Sequence, residues 1–343
     1  MARRERQGPD GAIGEDRLIQ RYFRPLAQGF PGALDLRDDA AFIAPPEGCD
    51  LVVTTDALVA GVHFLADDDP AGIGFKALAV NVSDLAAKAA EPIAYSLALV
   101  LARGAPESWL AGFAAGLGEA QAAFAIAMSG GDTAVSPTGP LMISITAFGS
   151  VPRGQMVPRG GGSAGDGLYV SGTIGDAALG LLLRRNDDGV RDWPLAAAER
   201  QSLIARYLRP APRLALREAL LANAAAAMDV SDGLAIDCGR MCKVSGVSAR
   251  IEAALVPLSA AARAVVAADP ARLETVLTGG DDYEILAAIP PGKQEAFRRA
   301  AQAAGVPVTR IGSLSEGDGG VTFVGATGEP LHLSRAGYDH LAH

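Results

Sequence analysis

The sequence is poor in the two residue types that most often bind transition metals. Only three cysteines and four histidines occur among 343 residues. Three cysteines do not make a disulfide framework and are typical of a protein in the reducing cytoplasm. Zinc prefers histidine nitrogen and cysteine sulfur, so the composition also argues against a zinc site. We therefore expect a cytoplasmic protein without disulfides.

Long apolar segments and the common nucleotide-binding loops are also missing. The apolar run 93–102 is too short to span a bilayer, and no charged-then-apolar signal peptide opens the chain. No GxxxxGK[ST] phosphate loop occurs, and no GxGxxG motif follows a predicted strand. These absences predict no membrane partner, and any nucleotide must be bound by a different architecture.

Basic charge is in deficit, with 30 lysine and arginine residues against 39 aspartate and glutamate residues and a formal net charge of −9. A nucleic-acid-binding protein needs a basic face to neutralise phosphates, so no such partner is expected. An acidic protein can still bind a polyphosphate when divalent cations stand between the two negative partners. The alternative is that the charge serves solubility alone.

Short β-type runs alternate with long Ala/Leu-rich segments of helical period. Runs 51–55 and 94–101 predict strands, and segments 72–90 and 107–124 predict helices. This alternation predicts an α/β (α+β) fold. The glycine- and proline-rich stretch 152–166 is the expected joint between two domains, residues 12–150 and 151–343.

A short internal echo is consistent with two similar halves, because Ser-Gly-Gly-Asp at 129–132 resembles Thr-Gly-Gly-Asp at 278–281.

Aspartates gather near the ends of the predicted elements. They are Asp38, Asp39, Asp56, Asp132, Asp229, Asp232, Asp281 and Asp282. Loops at the carboxyl ends of strands converge on one crevice in open α/β sheets, so these side chains are expected to lie together. Neighbouring carboxylates repel unless a cation neutralises them, and Mg²⁺ prefers such hard oxygen ligands. The alternative for each aspartate is an ordinary turn or helix-capping role.

Three sites along the chain have more specific expectations. Asp84 lies on an otherwise apolar helix, where a carboxylate needs a partner; the alternative to a metal is a salt bridge to Lys76 or Lys88. Ser231 or Asp232 is the expected N-cap of a helix whose first-turn amides face a phosphate. Asp132 is expected to follow a helical segment that reaches residue 128.

Arg159 and His63 are each open to two interpretations. Arg159 lies in a Gly-rich stretch and either folds over a triphosphate or is a solvated loop cation. His63 follows Asp56 by seven positions and either contacts a substrate phosphate or is an ordinary polar residue.

Taken together, these motifs resemble the thiamine-monophosphate kinases, in the superfamily of aminoimidazole ribonucleotide synthetase. The resemblance covers nearly the whole chain, and the motifs follow one another in the family's order. They are TTDALVAGVHF (54–64), KALAVNVSDLAA (76–87), SGGDT (129–133), LRPAPR (208–213), DVSDGL (229–234) and GGDDYEI (279–285).

The resemblance implies ATP-dependent phosphorylation of thiamine monophosphate to thiamine diphosphate. It also implies a homodimer of two-part α/β chains with a shared β-barrel-like interface. The positions that match the family's Mg²⁺ ligands are Asp39, Thr54, Thr55, Asp56, Asp84, Asp132, Asp229 and Asp232. Those that match its ATP contacts are Gly131, Asp132, Arg159 and Ser231, and those that match its thiamine-phosphate contacts are His63, Asp281 and Tyr338. Asp132, Arg159 and Asp232 are the expected catalytic residues.

Two positions depart from the family's pattern. Arg37 precedes the first acidic pair where relatives have glycine, and it either alters that loop or pairs with a carboxylate. Asp281 is one methylene shorter than the usual glutamate. The remaining alternatives are another ATP-using enzyme of the superfamily, such as an aminoimidazole ribonucleotide synthetase, and a non-catalytic nucleotide- or cation-binding protein.

Overall fold

The computed structural model describes residues 15–335 and 337–338. These residues form two compact units, each with its own sheet. The first contains the described residues as far as Val82 together with Pro92–Ser150. The second contains Ser83–Glu91 and the described residues from Val151 onward. The α/β fold is confirmed, and the division into domains 12–150 and 151–343 stays a prediction whose ends lie outside the described residues.

The first unit is built on a four-stranded sheet in the order β1-β4-β2-β3. Its elements in chain order are α1 (Glu15–Leu18), β1 (Cys49–Val59), α2 (Pro70–Ala87), β2 (Glu91–Ala102), α3 (Glu107–Phe124), β3 (Ala127–Ser136) and β4 (Met142–Pro152). Helix α2 belongs to this unit as far as Val82, and its last five residues belong to the second unit.

Helices α2 and α3 approach each other through glycine. A Cβ on Gly74 would lie 2.2 Å from the carbonyl oxygen of Phe113, and one on Gly116 would lie 1.9 Å from that of Ala71. Because glycine has no Cβ, the two backbones come closer than any other residue allows. The sequence predicted both helices, and α3 has the predicted limits.

The Ser-Gly-Gly-Asp-Thr motif forms part of strand β3, which pairs in parallel with β2. Helix α3 ends at Phe124, so the expectation that Asp132 follows a helix reaching residue 128 is wrong. Gly131 lies opposite Leu97, where a Cβ would be 2.1 Å from the carbonyl oxygen of Leu97. The glycine permits this close strand pairing and thereby fixes the register of Asp132 opposite Ala98.

The second unit is built on a six-stranded sheet in the order β10-β7-β9-β5-β8-β6. Its strands are β5 (Gly167–Ser171), β6 (Ala226–Asp229), β7 (Val247–Glu252), β8 (Ile285–Ile289), β9 (Val308–Glu316) and β10 (Val321–Val324). Its helices are α4 (Asp176–Arg185), α5 (Ala197–Leu208), α6 (Arg217–Asn223), α7 (Leu234–Ser245), α8 (Ala260–Ala268), α9 (Arg272–Thr278) and α10 (Gln294–Ala303). The pairs within this sheet are antiparallel except for β10 with β7.

Helix α7 begins at Leu234 with Gly233 as its N-cap, at φ 123°, and no side chain caps it. The expectation that Ser231 or Asp232 is the N-cap is therefore wrong. Cys238 and Cys242, on the same helix, are fully buried core thiols.

The internal echo does not correspond to a structural repeat. Ser-Gly-Gly-Asp lies in strand β3, whereas Thr-Gly-Gly-Asp begins at the last residue of α9 and continues into the loop before β8. The two aspartates also differ in backbone conformation, since Asp281 has a left-handed φ of 71°. Within the described part of the chain, no helix has the length and apolar character needed to cross a membrane.

Candidate active site

The first unit contains a cavity of about 570 Å³ over one face of its sheet. Its lining includes Asp38, Asp39, Gly131, Asp132 and the hydroxyl-bearing Thr146. Asp132 reaches the cavity from strand β3, and Asp38 and Asp39 reach it from the segment that follows a 3-10 turn at Pro31–Leu36. The structure thus brings two of the predicted metal ligands, Asp39 and Asp132, to one cavity.

The acidic segment is shaped by three consecutive left-handed residues, Leu34, Asp35 and Leu36. Such conformations are unfavourable outside glycine and need support. Asp35 supplies it by pairing with Arg24 and, at 3.3 Å, with Nε of Arg37. The unusual Arg37 therefore pairs with a carboxylate of its own loop, namely Asp35.

Thr54, Thr55 and Asp56 lie within strand β1, which continues to Val59. Asp56 is thus inside a strand, so the expectation that it ends one is wrong. Successive side chains of a strand point to opposite faces. Thr55 Oγ1 lies 2.9 Å from Oγ1 of Thr146, on the cavity side. The backbone N–H of Asp56 donates to Oδ1 of Asn81 at 3.1 Å, which ties the strand to helix α2.

His63 lies in the turn after strand β1. Its Nδ1 accepts a hydrogen bond from the backbone N–H of Val59 at 3.1 Å, so the proton of the neutral ring lies on Nε2. The fully buried Lys76 donates to the carbonyl oxygen of His63 at 3.1 Å. These bonds fix both the backbone and the ring of the histidine.

In the second unit, the end of helix α2 is bonded to the end of strand β6. The hydroxyl of Ser83 donates to Oδ2 of Asp229 at 2.7 Å, and Nζ of Lys88 donates to the carbonyl oxygen of Ala227 at 2.7 Å. The loop that carries Arg159 joins the same region, because the N–H of Ala227 donates to the carbonyl oxygen of Pro158 at 2.9 Å. Asp84, Asp229 and Arg159 are thereby gathered around Lys88.

Lys88 is an internal cation of this region. Burial is the main cause that lowers the pKa of its ammonium to about 8, and the nearby Arg159 lowers it further. Asp229 and Asp84 act in the opposite direction. Lys88 is thus close enough to Asp84 to interact with it electrostatically, which is consistent with the salt-bridge alternative for Asp84.

The Asp-Val-Ser-Asp-Gly segment folds back on helix α7. Oδ2 of Asp237 accepts the backbone N–H groups of Ser231 at 3.0 Å and Asp232 at 2.9 Å. Arg240 pairs with Asp237 at 2.7 Å and also with Asp232. Burial raises the pKa of Asp237 to about 6, against the lowering effect of the hydrogen bonds and of Arg240.

The same segment forms main-chain hydrogen bonds with two of the residues predicted to contact substrate. The N–H of Asp281 donates to the carbonyl oxygen of Ser231 at 2.8 Å, and the N–H of Tyr338 donates to that of Asp232 at 3.1 Å. The hydroxyl of Tyr283 lies 3.2 Å from Oδ1 of Asp281. Ser231, Asp232, Asp281 and Tyr338 are thus neighbours.

The donor set fits Mg²⁺ better than a softer metal. The predicted ligands are carboxylates and hydroxyls, and Mg²⁺ prefers hard oxygen. Among the residues that the structure describes, no three His, Cys, Asp or Glu side chains form a ready-made metal cluster. Mg²⁺ commonly needs only one or two carboxylates, with water and substrate phosphate completing its shell.

Three residues that shape this region were missed from the sequence, namely Ser83, Asp237 and Arg240, and Lys88 was considered only as a partner of Asp84. Ser83 precedes Asp84 directly, and Lys88 closes an apolar helix, where a cation needs a partner. Asp237 and Arg240 are three apart on a helix, a spacing at which opposite charges meet. Each of these signals is present in the sequence.

The fold matches a known class of proteins. The sequence model of the AIR synthase related protein, N-terminal domain, matches residues 37–151. That of the AIR synthase related protein, C-terminal domain, matches residues 163–325. The chain therefore has the two mixed α/β domains of this class.

Relatives that match over most of their length identify the family within this class. Thiamine-monophosphate kinase of Caulobacter vibrioides (strain ATCC 19089 / CIP 103742 / CB 15) is 44% identical over 325 residues, which cover 94% of this chain and 89% of that protein. The solved thiamine-monophosphate kinase from Stenotrophomonas maltophilia K279a is 41% identical with a TM-score of 0.75, covering 83% of this chain and 89% of that one. AaThiL, solved in complex with AMPPCP and TMP, is 30% identical with a TM-score of 0.74, covering 95% of this chain and 97% of that one. This chain belongs to the thiamine-monophosphate kinase family, which confirms the resemblance seen in its motifs.

Proposed function

We propose that this protein transfers the γ-phosphoryl group of ATP to thiamine monophosphate and releases thiamine diphosphate and ADP. The observation that carries the proposal is its 44% identity, over 94% of its length, to a protein named thiamine-monophosphate kinase. A related protein solved with AMPPCP and TMP supports the same pair of substrates.

The chemistry is direct in-line transfer. An oxygen of the thiamine monophosphate phosphate group forms a bond to the γ-phosphorus of ATP, and the bond from that phosphorus to the β–γ bridging oxygen breaks, leaving ADP. A phosphate monoester is already largely ionised near neutral pH, so the nucleophile needs no strong general base. The protein must instead hold two anions together and stabilise the charge that spreads over the transferred group.

Electrostatics set the scale of that task. Two like charges about 4 Å apart repel by about 4 kcal/mol at an effective dielectric of 20. Bound Mg²⁺ would supply the positive charge that offsets this repulsion. The residues proposed to hold it are Asp39, Thr54, Thr55, Asp56, Asp84, Asp132, Asp229 and Asp232.

The organic groups are assigned by the family's pattern. Gly131, Asp132, Arg159 and Ser231 are proposed to bind ATP. The backbone at Gly131 approaches its neighbour strand without a Cβ, and the Arg159 guanidinium is exposed, as phosphate contact requires. His63, Asp281 and Tyr338 are proposed to contact the thiamine phosphate, and Asp132, Arg159 and Asp232 are the proposed catalytic residues.

We also propose that the protein acts as a homodimer in the cytoplasm, with a shared β-barrel-like interface. The three free cysteines, two of them fully buried, support a reducing compartment. Sedimentation at equilibrium measures the subunit number, and a monomer at micromolar concentration would overturn the dimer.

One assay tests the function. The purified protein is incubated with ATP, Mg²⁺ and thiamine monophosphate, and the products are separated chromatographically. Thiamine diphosphate and ADP are expected in equal amounts, and neither is expected when EDTA replaces Mg²⁺. ADP without thiamine diphosphate would indicate another ATP-using enzyme of the superfamily. No turnover at all would favour a binding protein.

A further inference from the structure

The Leu-Arg-Pro-Ala-Pro-Arg motif has no part in the proposed chemistry, yet the structure gives its last residue a specific partner. Arg213 forms a two-pronged ion pair with the fully buried carboxylate of Glu284, with Nε 2.6 Å from Oε2 and Nη2 on Oε1. Arg206 adds a second guanidinium, 2.9 Å from Oε1. Two cations therefore converge on one internal carboxylate.

The remaining bonds of Glu284 fix its position on the sheet. The hydroxyl of Ser171 donates to Oε2 at 2.6 Å and accepts the backbone N–H of Ile285 at 2.8 Å. A Cβ on Gly172 would lie 2.1 Å from Oε1, so the neighbouring backbone closes tightly around the carboxylate. Each carboxylate oxygen of Glu284 accepts two hydrogen bonds in all.

The residues just before Glu284 have a strained backbone. Asp281 has a φ of 71° and Tyr283 a φ of 51°, both in the left-handed region that disfavours residues with a Cβ. A turn of this kind persists only when its surroundings determine it. Main-chain bonds at 2.8 Å link Asp281 to Ser231 and Tyr283 to Val230, and Arg206 Nη2 donates to the carbonyl oxygen of Asp282 at 3.2 Å.

The same strained turn is bonded to the segment between Asp229 and Asp232. Val230 accepts from the N–H of Tyr283 and donates its own N–H to the carbonyl oxygen of Glu284 at 2.8 Å. Any movement of Glu284 is therefore transmitted to Val230 and Ser231 as well as to Asp281.

We propose that Glu284, Arg206 and Arg213 act together as a positioning device that holds the strained turn at Asp281–Tyr283 and so sets the Asp281 carboxylate for thiamine monophosphate. The inference rests on the proposed function, since it takes Asp281 as a substrate contact. In this proposal the three residues need no contact with substrate. They act through the backbone that carries Asp281.

The geometry separates this role from simple charge neutralisation. One carboxylate needs one cation, whereas two guanidinium groups converge here. A lysine at position 213 keeps the charge but cannot form the two parallel N–H bonds of the guanidinium fork. Arg213→Lys is therefore the informative variant, and Arg206→Lys is the second variant if the first does not fold.

The matched control is Arg272→Lys. Arg272 also forms an ion pair within the second unit, with Asp269 at 3.0 Å, but it contacts neither Glu284 nor the strained turn. Circular dichroism and thermal unfolding establish that each variant is folded at the assay temperature. Kinetics are then measured with each substrate varied separately.

The expected result is a loss of about 10- to 100-fold in kcat/KM for thiamine monophosphate in Arg213→Lys, mainly through KM, because small misplacements cost this much. The KM for ATP is expected to rise by a smaller factor than that for thiamine monophosphate, because the turn carries Asp281 itself and reaches Ser231 only through main-chain bonds. Arg272→Lys is expected to resemble the wild type for both substrates. Equal losses for both substrates, or no loss, would overturn the positioning role.

Hydrogen exchange supplies a readout that does not depend on turnover. The amides of Asp281 and Tyr283 are expected to exchange faster in Arg213→Lys than in the wild type, and at the wild-type rate in Arg272→Lys. Unchanged exchange in Arg213→Lys would overturn the proposal even if activity fell. A wild-type protein that does not phosphorylate thiamine monophosphate would instead overturn the proposed function, and the exchange rates would still decide whether the turn is held as described.

Discussion

The hydroxyl of Ser83 donates a 2.7 Å hydrogen bond to Oδ2 of Asp229, although the two residues are 146 positions apart in the sequence. Both side chains are buried. The bond orients a carboxylate at the end of strand β6 and places it beside the end of helix α2, where Asp84 lies. Ser83, which is not among the proposed metal ligands, thus holds Asp229 near Asp84.

Asp132 gives the most direct test of the metal-dependent mechanism. Asp132→Asn keeps the shape of the side chain but removes its charge, so kcat is expected to fall about 10²- to 10³-fold. The side chain is exposed, so the free energy of unfolding should change by less than about 0.5 kcal/mol. Steady-state kinetics and urea denaturation measure the two effects. Asp188→Asn, at an exposed residue outside the cavity, is the control. Near-normal turnover at saturating Mg²⁺ would contradict the assignment.

Lys88 should titrate well below an ordinary lysine. Its pKa is lowered to about 8, chiefly by burial, so its amine is charged below that pH and mostly neutral above it. The sequence has four lysines, so ¹³C-methylated lysines give few NMR signals. One lysine signal, in addition to that of the methylated α-amino group, is expected to titrate with a midpoint of about 8 in the absence of divalent cations, and to vanish in Lys88→Arg. A Lys88 signal that titrates near the ordinary value of about 10.4 would contradict the electrostatic description.

The buried carboxyl group of Asp282 should make the stability of the folded protein depend on pH. The carboxyl is fully buried, Oδ2 accepts the N–H of Gly175 at 2.8 Å, and Oδ1 has no partner among the described residues. Burial raises its pKa well above the ordinary value of an aspartate. Between the unfolded pKa of about 3.9 and the raised folded pKa, the folded state binds more protons than the unfolded state, so stability falls as pH rises.

Asp282→Asn removes this titration. The free energy of unfolding of the variant, relative to the wild type, is expected to increase as pH rises above the unfolded pKa of about 3.9. Urea denaturation at several pH values measures the difference. Asp188→Asn, which changes an exposed carboxylate, should give a line parallel to the wild type. Parallel lines for Asp282→Asn as well would show that Asp282 does not have the raised pKa.

The contact between helices α2 and α3 predicts opposite effects for two glycines on one helix. A Cβ on Gly116 would lie 1.9 Å from the carbonyl oxygen of Ala71, so Gly116→Ala must separate the helices and should lower stability by about 1–3 kcal/mol. At Gly118 the nearest atom, Cδ2 of Leu26, would lie at 3.5 Å. Gly118→Ala should therefore raise stability by about 0.5–1 kcal/mol through helix propensity. Thermal unfolding of both variants measures the contrast, and equal losses would show that packing does not distinguish them.

Helical periodicity was the most reliable guide to the fold. Helix α3 has the predicted limits because its long Ala/Leu-rich segment has few competing conformations. Strand β3 was missed because the sequence as far as residue 128 was assigned to the preceding helix, although Ala127–Ser136 pairs with β2 at the edge of the sheet. Pairing between strands depends on residues distant in sequence, which local patterns do not contain.

The candidate site was predicted in its residue types more than in its geometry. The motifs identified the carboxylates, since their spacing is local. They did not identify Gly233 as the N-cap of α7. The side chain of Asp237, inside the helix, accepts the backbone N–H groups of Ser231 and Asp232, so neither of those side chains is needed as a cap. Nor did they reveal Lys88 beside Asp229, a neighbour brought close only by folding.

The bonds that converge on Glu284 have a consequence for the order in which the chain folds. Its partners Arg213, Arg206 and Ser171 lie 71, 78 and 113 positions away. Closing such long loops is slow compared with helix formation, because the entropy of the open chain opposes it until the final contacts form. The turn at Asp281 is thus expected to form late. In a refolding experiment, catalytic activity should therefore return after the helical signal has recovered.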